Sequence, residues 1–211
     1  MLIITIKQGK EVRLLEGDPW IYLSAIEKIE GKPHERSKIG ATALVQSSSR
    51  RFLARAAYNP KSQIAARVWT LREDEAVDHA MIKRRVQAAL ARRMAALRGA
   101  DPQELVQLIE GEADGLPGLV VHSYGGSDGY LVCQFNAGGA EFWKVPIVQA
   151  LLKETGCPNA YERCDKLVRE AEGLPFRARV LAGEEPPQRL MVRVEGRLAP
   201  MDIRTGFIYP R

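Results

Sequence analysis

Through the first third of the chain, apolar and polar positions alternate in short runs. The segments LIITIK (2–7), GATALVQ (40–46), RRFLARAAY (50–58) and QIAARVWT (63–70) are β-branched or follow period two, and each predicts a strand. Turn residues separate them at Gly9, Gly31-Lys32-Pro33, Ser47 to Ser49 and Asn59-Pro60. Strands so spaced predict a small β-barrel. A further turn at Gly17-Asp18-Pro19-Trp20 leaves Trp20 either as a lid over the barrel end or as part of a contact surface.

From Glu73 the period changes. Ile82, Val86, Leu90, Met94 and Leu97 recur at helical steps, which predicts one helix ending near Gly99 with Arg84, Arg85 and Arg92 on its opposite face. Those arginines fit a solvated face and a basic face presented to RNA equally well. Gly99-Ala100-Asp101-Pro102 reads as a helix stop followed by a cap and a proline, and the apolar segment LVQLIEG (105–111) comes next. LVVHSY (119–124) and YLVCQF (130–135) read as strands, and the glycines at 125, 126 and 129 between them signal a hairpin. A helix to about Thr155, with Pro146 near its start, precedes further strands at NAYERC (159–164), FRARVL (176–181) and LMVRVE (190–195). Gly183-Glu184-Glu185-Pro186-Pro187 is a turn or linker. The second half is therefore α+β.

Between the helix and the hairpin lies GEADGLPGLVV (111–121), two acids and three glycines before an apolar run. A Walker loop needs Lys-Ser/Thr after its last glycine, and here Leu119 and Val120 follow Gly118. A dinucleotide fingerprint needs G-x-G-x-x-G opening a helix, whereas this is G-x-x-x-G-x-x-G opening a strand, with Glu112 and Asp114 placed to repel a pyrophosphate. A calcium loop lacks its closing carboxylate, because the twelfth position is Val121. What remains is turn chemistry at Asp114-Gly115 and Pro117-Gly118, with the acids free to hold neighbouring backbone amides.

The net charge of +5 leans toward a polyanionic partner. Basic residues crowd the middle of the chain from Lys61 to Arg98, with a second group from Arg163 to Arg179. The longest apolar runs are far short of the roughly 20 residues that span a bilayer, and the N-terminus does not have the order of a signal peptide. The expectation is a cytoplasmic protein with no membrane contact. Cys133, Cys157 and Cys164 form no C-x-x-C pair, so they predict buried small residues rather than a disulfide framework or a zinc clip. His34, His79 and His122 accompany no nucleophile elbow, and the acids beside Cys164 oppose an activated thiolate. No self-contained catalytic, metal or cofactor site is expected.

The motifs GDPWIY (17–22), ARAAYNPKSQIAARVWT (54–70), LIEGEADGLPGLVV (108–121), YERCD (161–165), VREAEGL (168–174) and DIRTGF (202–207) together resemble the ribosomal RNA large-subunit methyltransferase I family. That resemblance implies a PUA-like RNA-binding barrel over residues 1–71, a central α+β domain over 72–190, and over 191–211 a remnant of the entry to a Rossmann-type methyltransferase domain that is otherwise essentially absent. Intact members bind S-adenosylmethionine and methylate C5 of cytosine from that third domain, so this chain is expected to be the non-catalytic, RNA-binding portion. The alternative is a methyltransferase whose catalytic domain lies on another chain or is lost from this sequence. The altered ending MDIRTGFIYPR favours a shortened gene product. Three positions depart from the family pattern: Gln107 stands for an arginine, His122 for an aspartate and Cys164 for a serine. The implied partner is RNA of ribosomal type, and a homodimer is left open. Candidate RNA contacts are Arg50, Arg51, Lys61 and Arg67 on the barrel, Trp20 and Tyr58 as stacking surfaces, and Arg84, Arg85 and Arg92 on the helix. The rival view of the barrel cations is that they block edge-to-edge strand pairing.

Overall fold

The computed structural model describes residues 1–99 and 101–210, so Ala100 of the helix-stop motif and Arg211 of the terminal motif lie outside the described residues. The first module is a six-stranded sheet in the order β2-β6-β5-β4-β1-β3. Its strands are β1 (Leu2–Ile6), β2 (Trp20–Tyr22), β3 (Ile26–Glu30), β4 (Ala41–Gln46), β5 (Phe52–Tyr58) and β6 (Ile64–Thr70), with short helices α1 (Val12–Leu15) and α2 (Pro33–Ser37) in the connections. The sheet wraps a core of Leu2, Ile4, Ile6, Ile21, Val45, Leu53 and Ala66. Register shifts in the pairings at Thr5/Ile6, Ile21/Tyr22, Val45/Gln46 and Arg55/Ala56 supply the extra twist that curls it. The four strands expected from alternation are present. β2 and β3 escaped that reading because β2 has three residues and β3, IEKIE, buries only its first residue and half-buries Ile29.

The second module is a five-stranded sheet, β11-β10-β9-β8-β7. After α3 (His79–Ala91) and α4 (Met94–Gly99) the chain runs through β7 (Leu105–Glu110), β8 (Leu119–Tyr124) and β9 (Tyr130–Phe135). It continues through α5 (Gly138–Phe142), α6 (Lys144–Thr155), β10 (Asn159–Glu162), α7 (Lys166–Ala171) and β11 (Arg179–Ala182). α3 and α6 pack together on one sheet face, where Ile82, Val86 and Leu90 meet Leu108, Val121, Leu131, Ile147 and Leu151. The predicted stripe is buried as expected, but the helix is two helices. The break falls at Arg92 and Arg93, whose guanidinium groups turn in to Asp114. Asp78 caps α3 by accepting from the Met81 amide at 2.8 Å.

The remaining strands, β12 (Leu190–Val194), β13 (Arg197–Asp202) and β14 (Phe207–Ile208), form a small antiparallel sheet. Val192, Met201 and Ile203 of this segment pack on Tyr124 and Val132, on the face of the five-stranded sheet opposite the helices. Residues 191–210 are thus a cover for the central sheet in this structure.

The two modules share a core. Ala57 and Trp69 of the barrel belong to the same apolar cluster as α3 and α6. The Gly138-Gly139 pair that opens α5 lets its backbone lie against the barrel: a Cβ on Gly139 would come within 2.7 Å of Ala57 Cβ, and one on Gly40 within 2.2 Å of the Gly138 carbonyl oxygen. Gly40 also has φ +82°, whereas Gly9, at φ +81°, has open space around it. Gly9→Ala should therefore cost only the left-handed backbone penalty, about 1–2 kcal/mol, and Gly40→Ala should add the clash. Urea unfolding of the two variants is expected to put Gly40→Ala well below Gly9→Ala; equal stabilities would mean that the modules do not touch at Gly40.

Candidate nucleic-acid interface

The predicted contact residues fall into separate groups. Arg67 of β6 stands at the seam between the modules, with its side chain 14% exposed. It donates from Nη1 to Glu112 Oε1 and from Nη2 to Glu172 Oε1, both at 2.9 Å. Trp20 Nε1 donates to the same Glu112 oxygen at 2.8 Å, and the Arg67 guanidinium lies 5.1 Å from the centroid of the Trp20 ring. Ser62 Oγ and Asn59 Nδ2 complete the ring around the Glu172 carboxylate at 3.1 and 3.0 Å. The aliphatic chain of Lys61 lies over Gly173. Trp20 is therefore a contact surface toward the central domain, and Arg67 is held between two carboxylates of that domain.

The helix arginines are likewise engaged. Arg92 and Arg93 share Asp114 Oδ1 at 2.5 and 2.9 Å, and Asp114 Oδ2 accepts from the Glu110 amide at 2.7 Å. Arg85 donates to the Gly115 carbonyl at 2.7 Å and meets Glu75 at 3.3 Å, while Arg84 is 3.7 Å from Glu75 and exposed. Tyr58 is 6% exposed and packs in the barrel core, so neither ring face is open for stacking. Alternation explains this: Tyr58 occupies an inward position of β5, a strand buried at five of its seven residues. Arg50 and Arg51 are exposed at the β4–β5 turn, apart from the seam.

The stretch at residues 111–121 is the hub of both ion clusters. A 310 turn at Gly111–Asp114 and a left-handed Gly115 bring the chain round into β8. Glu112 reaches the barrel and Asp114 the end of α3. Its glycines offer no cofactor cradle. A Cβ on Gly118 would fall 2.3 Å from Ala137 Cβ, and the space beside Gly115 is filled by Arg85. The residues present thus do not fit S-adenosylmethionine at this corner. Among the described residues no group of three His, Cys, Asp or Glu could hold a metal ion. The cysteines are poor nucleophiles: burial pushes the Cys133 thiol up to about 12, and burial also raises Cys164.

A cluster that was not among the residues expected from sequence lies beside α1 and β2. A cleft of about 170 Å³ between α1 and β2 is lined by Lys10, Arg13, Trp20, Tyr22 and Ser24 over an apolar floor of Ile6, Leu14 and Ile21. Arg13 lies 5.5 Å above the Tyr22 ring and pairs with Asp18 at 2.7 Å in the open, with 68% of its side chain exposed. Lys7 donates to the Ser24 carbonyl. Among the described residues the Lys10 ammonium has no partner. The signal was the three-residue spacing of Lys7, Lys10 and Arg13, which places cations along one edge of a turn and a short helix. An exposed pair such as Arg13–Asp18 holds its cation weakly, so the cleft presents positive charge beside two aromatic rings.

The seam has a pH consequence. Burial opposes ionisation of Glu112, but hydrogen bonds from Trp20 and its own backbone and the Arg67 charge outweigh it, so its carboxyl sits below the ordinary range. Asp114 is likewise lowered, burial being outweighed by the Glu110 amide and by Arg92 and Arg93. A lowered carboxyl contributes stability that is complete above the unfolded value, about 4, and is lost as pH falls through the folded value. Thermal midpoints should therefore hold from neutral pH to about pH 5 and drop below pH 4, and Glu112→Gln should flatten that drop. Glu172→Gln, which leaves the largely buried Arg67 with less charge to meet it, should lower stability by about 2–3 kcal/mol at pH 7 in urea unfolding.

Comparison with known proteins assigns this architecture. A PUA-like domain family matches residues 4–71. The chain is 38% identical over 208 residues to the ribosomal RNA large subunit methyltransferase I of Aliivibrio fischeri, covering 97% of this chain and 50% of that protein. It is 39% identical to the protein of the same name from Vibrio cholerae, with the same coverage. It thus spans about half the length of the curated relatives it matches. A crystal structure described as a candidate methyltransferase complexed with SAH superposes with a TM-score of 0.76 at 14% identity, over 99% of this chain and 50% of that one. A Streptococcus mutans structure described as a candidate SAM-dependent methyltransferase gives 0.75 at 13% identity, again over 99% of this chain and 50% of that one. The superpositions show the fold alone, and the sequence matches show a chain similar along nearly its whole length to one half of proteins named ribosomal RNA large subunit methyltransferase I, with a PUA-like domain at its start.

Proposed function

We propose that residues 1–211 form the RNA-docking half of a ribosomal RNA methyltransferase-type protein, with the barrel and the central domain acting as one rigid body. The observation that carries this reading is the cleft between α1 and β2, where Lys10 and Arg13 stand beside the Trp20 and Tyr22 rings. Cations with aromatic planes suit a phosphate backbone and an unstacked base, the form in which RNA is bound at single-stranded loops and ends. The names of the relatives supply the substrate class, ribosomal RNA. On this reading the protein works in the cytoplasm. Arg50, Arg51 and Arg84, exposed, extend the contact, whereas Arg67, Arg85 and Arg92 act by holding the body together.

Methyl transfer itself would belong to a catalytic domain supplied from outside these residues, which would hold the S-adenosylmethionine donor. The target cytosine would have to leave its stack to reach that domain, and a rigid docking body fixes where the strand enters. Among the described residues no helix is long and apolar enough to cross a membrane.

Fluorescence anisotropy with a ribosomal RNA fragment tests the reading. Affinity should fall steeply with salt, with a log–log slope of about −0.7 for each neutralised phosphate of a single strand. The double variant Lys10→Ala, Arg13→Ala should weaken binding about tenfold and flatten the slope by about 1.4, about 0.7 for each phosphate contact removed. Absence of binding at low salt, or binding indifferent to salt and to these substitutions, would refute it.

A further inference from the structure

A second cleft, of about 400 Å³, lies on the face of the five-stranded sheet turned away from α3 and α6. Period two along the strands builds it. Leu119 and Val121 of β8 and Leu131 and Cys133 of β9 point into the helix-covered core, so His122, Tyr124 and Gln134 point the other way. The small β12–β13–β14 sheet covers the Tyr124 end through Val192 and Met201 and leaves His122 and Gln134 half-buried. Arg163, just past β10, and Gly206 close the side.

Two polar side chains facing this cleft lack partners among the described residues, and an unpartnered ring nitrogen of a third lining residue lies beneath its surface. Among the described residues the Arg163 guanidinium makes no ion pair or hydrogen bond, although its amide donates to the Cys133 carbonyl. The Gln134 side-chain amide has no partner, and His122 Nδ1 is buried and unpartnered. Burial, and then the Arg163 charge, lower the His122 pKa, so the imidazole is neutral and can both donate and accept. Gly206, at φ +82°, leaves the guanidinium its room: a Cβ there would sit 3.3 Å from Arg163 Nη1. The carboxylate in the cleft, Asp165, is engaged in capping α7 through the Val168 amide. A half-buried cation beside an amide and a neutral imidazole matches a ligand with one anionic group and a planar hydrogen-bonding edge next to it.

We propose that this cleft takes one nucleotide of single-stranded RNA, with its phosphate on Arg163 and its base edge on Gln134 and His122. The proposal rests on the RNA-docking reading and adds a second contact on the central domain, away from the barrel. A free mononucleotide shares the chemistry, so the test separates the two sources.

The full chain is titrated against a labelled single-stranded oligoribonucleotide and, separately, against a nucleoside monophosphate. Arg163→Ala should weaken the oligonucleotide about tenfold and flatten its salt slope by about 0.7, the share of one single-strand phosphate. Gln134→Ala should weaken it with the slope unchanged, and Arg163→Lys should keep the slope. Because Arg163 and Gln134 have no internal side-chain partners, thermal midpoints should match the parent's, which separates a contact role from a structural one. Oligonucleotide binding unchanged by all three variants, while Lys10→Ala, Arg13→Ala weakens it, would overturn the cleft assignment and leave the docking reading intact. Variants that affect only the monophosphate would overturn it in favour of a free-nucleotide site. No RNA binding by the parent at low salt would overturn both.

Discussion

One arginine between two carboxylates sets the architecture. Arg67 leaves the barrel and meets Glu112 and Glu172 of the central domain; Trp20 and Ser62 donate to the same two oxygens, and Asn59 donates to the other oxygen of Glu172. Buried ion pairs contribute little net energy against an apolar alternative, but removing one partner is costly and the geometry they demand is specific. The seam therefore orients the modules, while the apolar contact of Ala57 and Trp69 with the central core supplies the attraction. Any surface shared between barrel and central domain inherits its shape from this arrangement.

A second buried network repeats the device inside the central domain. Arg169, 1% exposed, donates to the Phe135 and Pro175 carbonyls and to Glu141, and Lys144 links Glu141 to the fully buried Glu162. Glu172, which closes the seam, lies immediately after α7, the helix that carries Arg169. The two networks thus hold the two ends of one three-residue step, from Arg169 to Glu172, at the close of one short helix. This is why the motifs YERCD and VREAEGL, far from the barrel in sequence, bear on how the barrel sits.

The sequence showed the elements better than the partnerships. Alternation identified β1, β4, β5 and β6, and the apolar stripe identified α3, because both patterns report burial directly. The edge strands β2 and β3 were invisible, β2 because it has only three residues and β3 because it is mostly exposed. The acids of residues 111–121 could be excluded from phosphate and calcium chemistry by spacing, and the structure assigns them to backbone and arginine partners. The cations were the least legible. Arg67 and Arg92 look no different in sequence from Lys10 or Arg163, because whether a guanidinium is spent internally depends on carboxylates 22 to 105 positions away. Gln107 and His122, two of the departures from the family pattern, are directly opposed across β7 and β8, and His122 lines one cleft with the third, Cys164. Only the folded register reveals that.

Whether barrel and central domain receive RNA as one rigid body can be read from hydrogen exchange of the full chain with and without a ribosomal RNA fragment. Exchange should slow around α1 and β2, over residues 7–25, with the seam amides near Asn59 and Glu172 equally protected in both states. Protection confined to surfaces remote from that cleft, or seam amides that exchange freely before RNA is added, would contradict it.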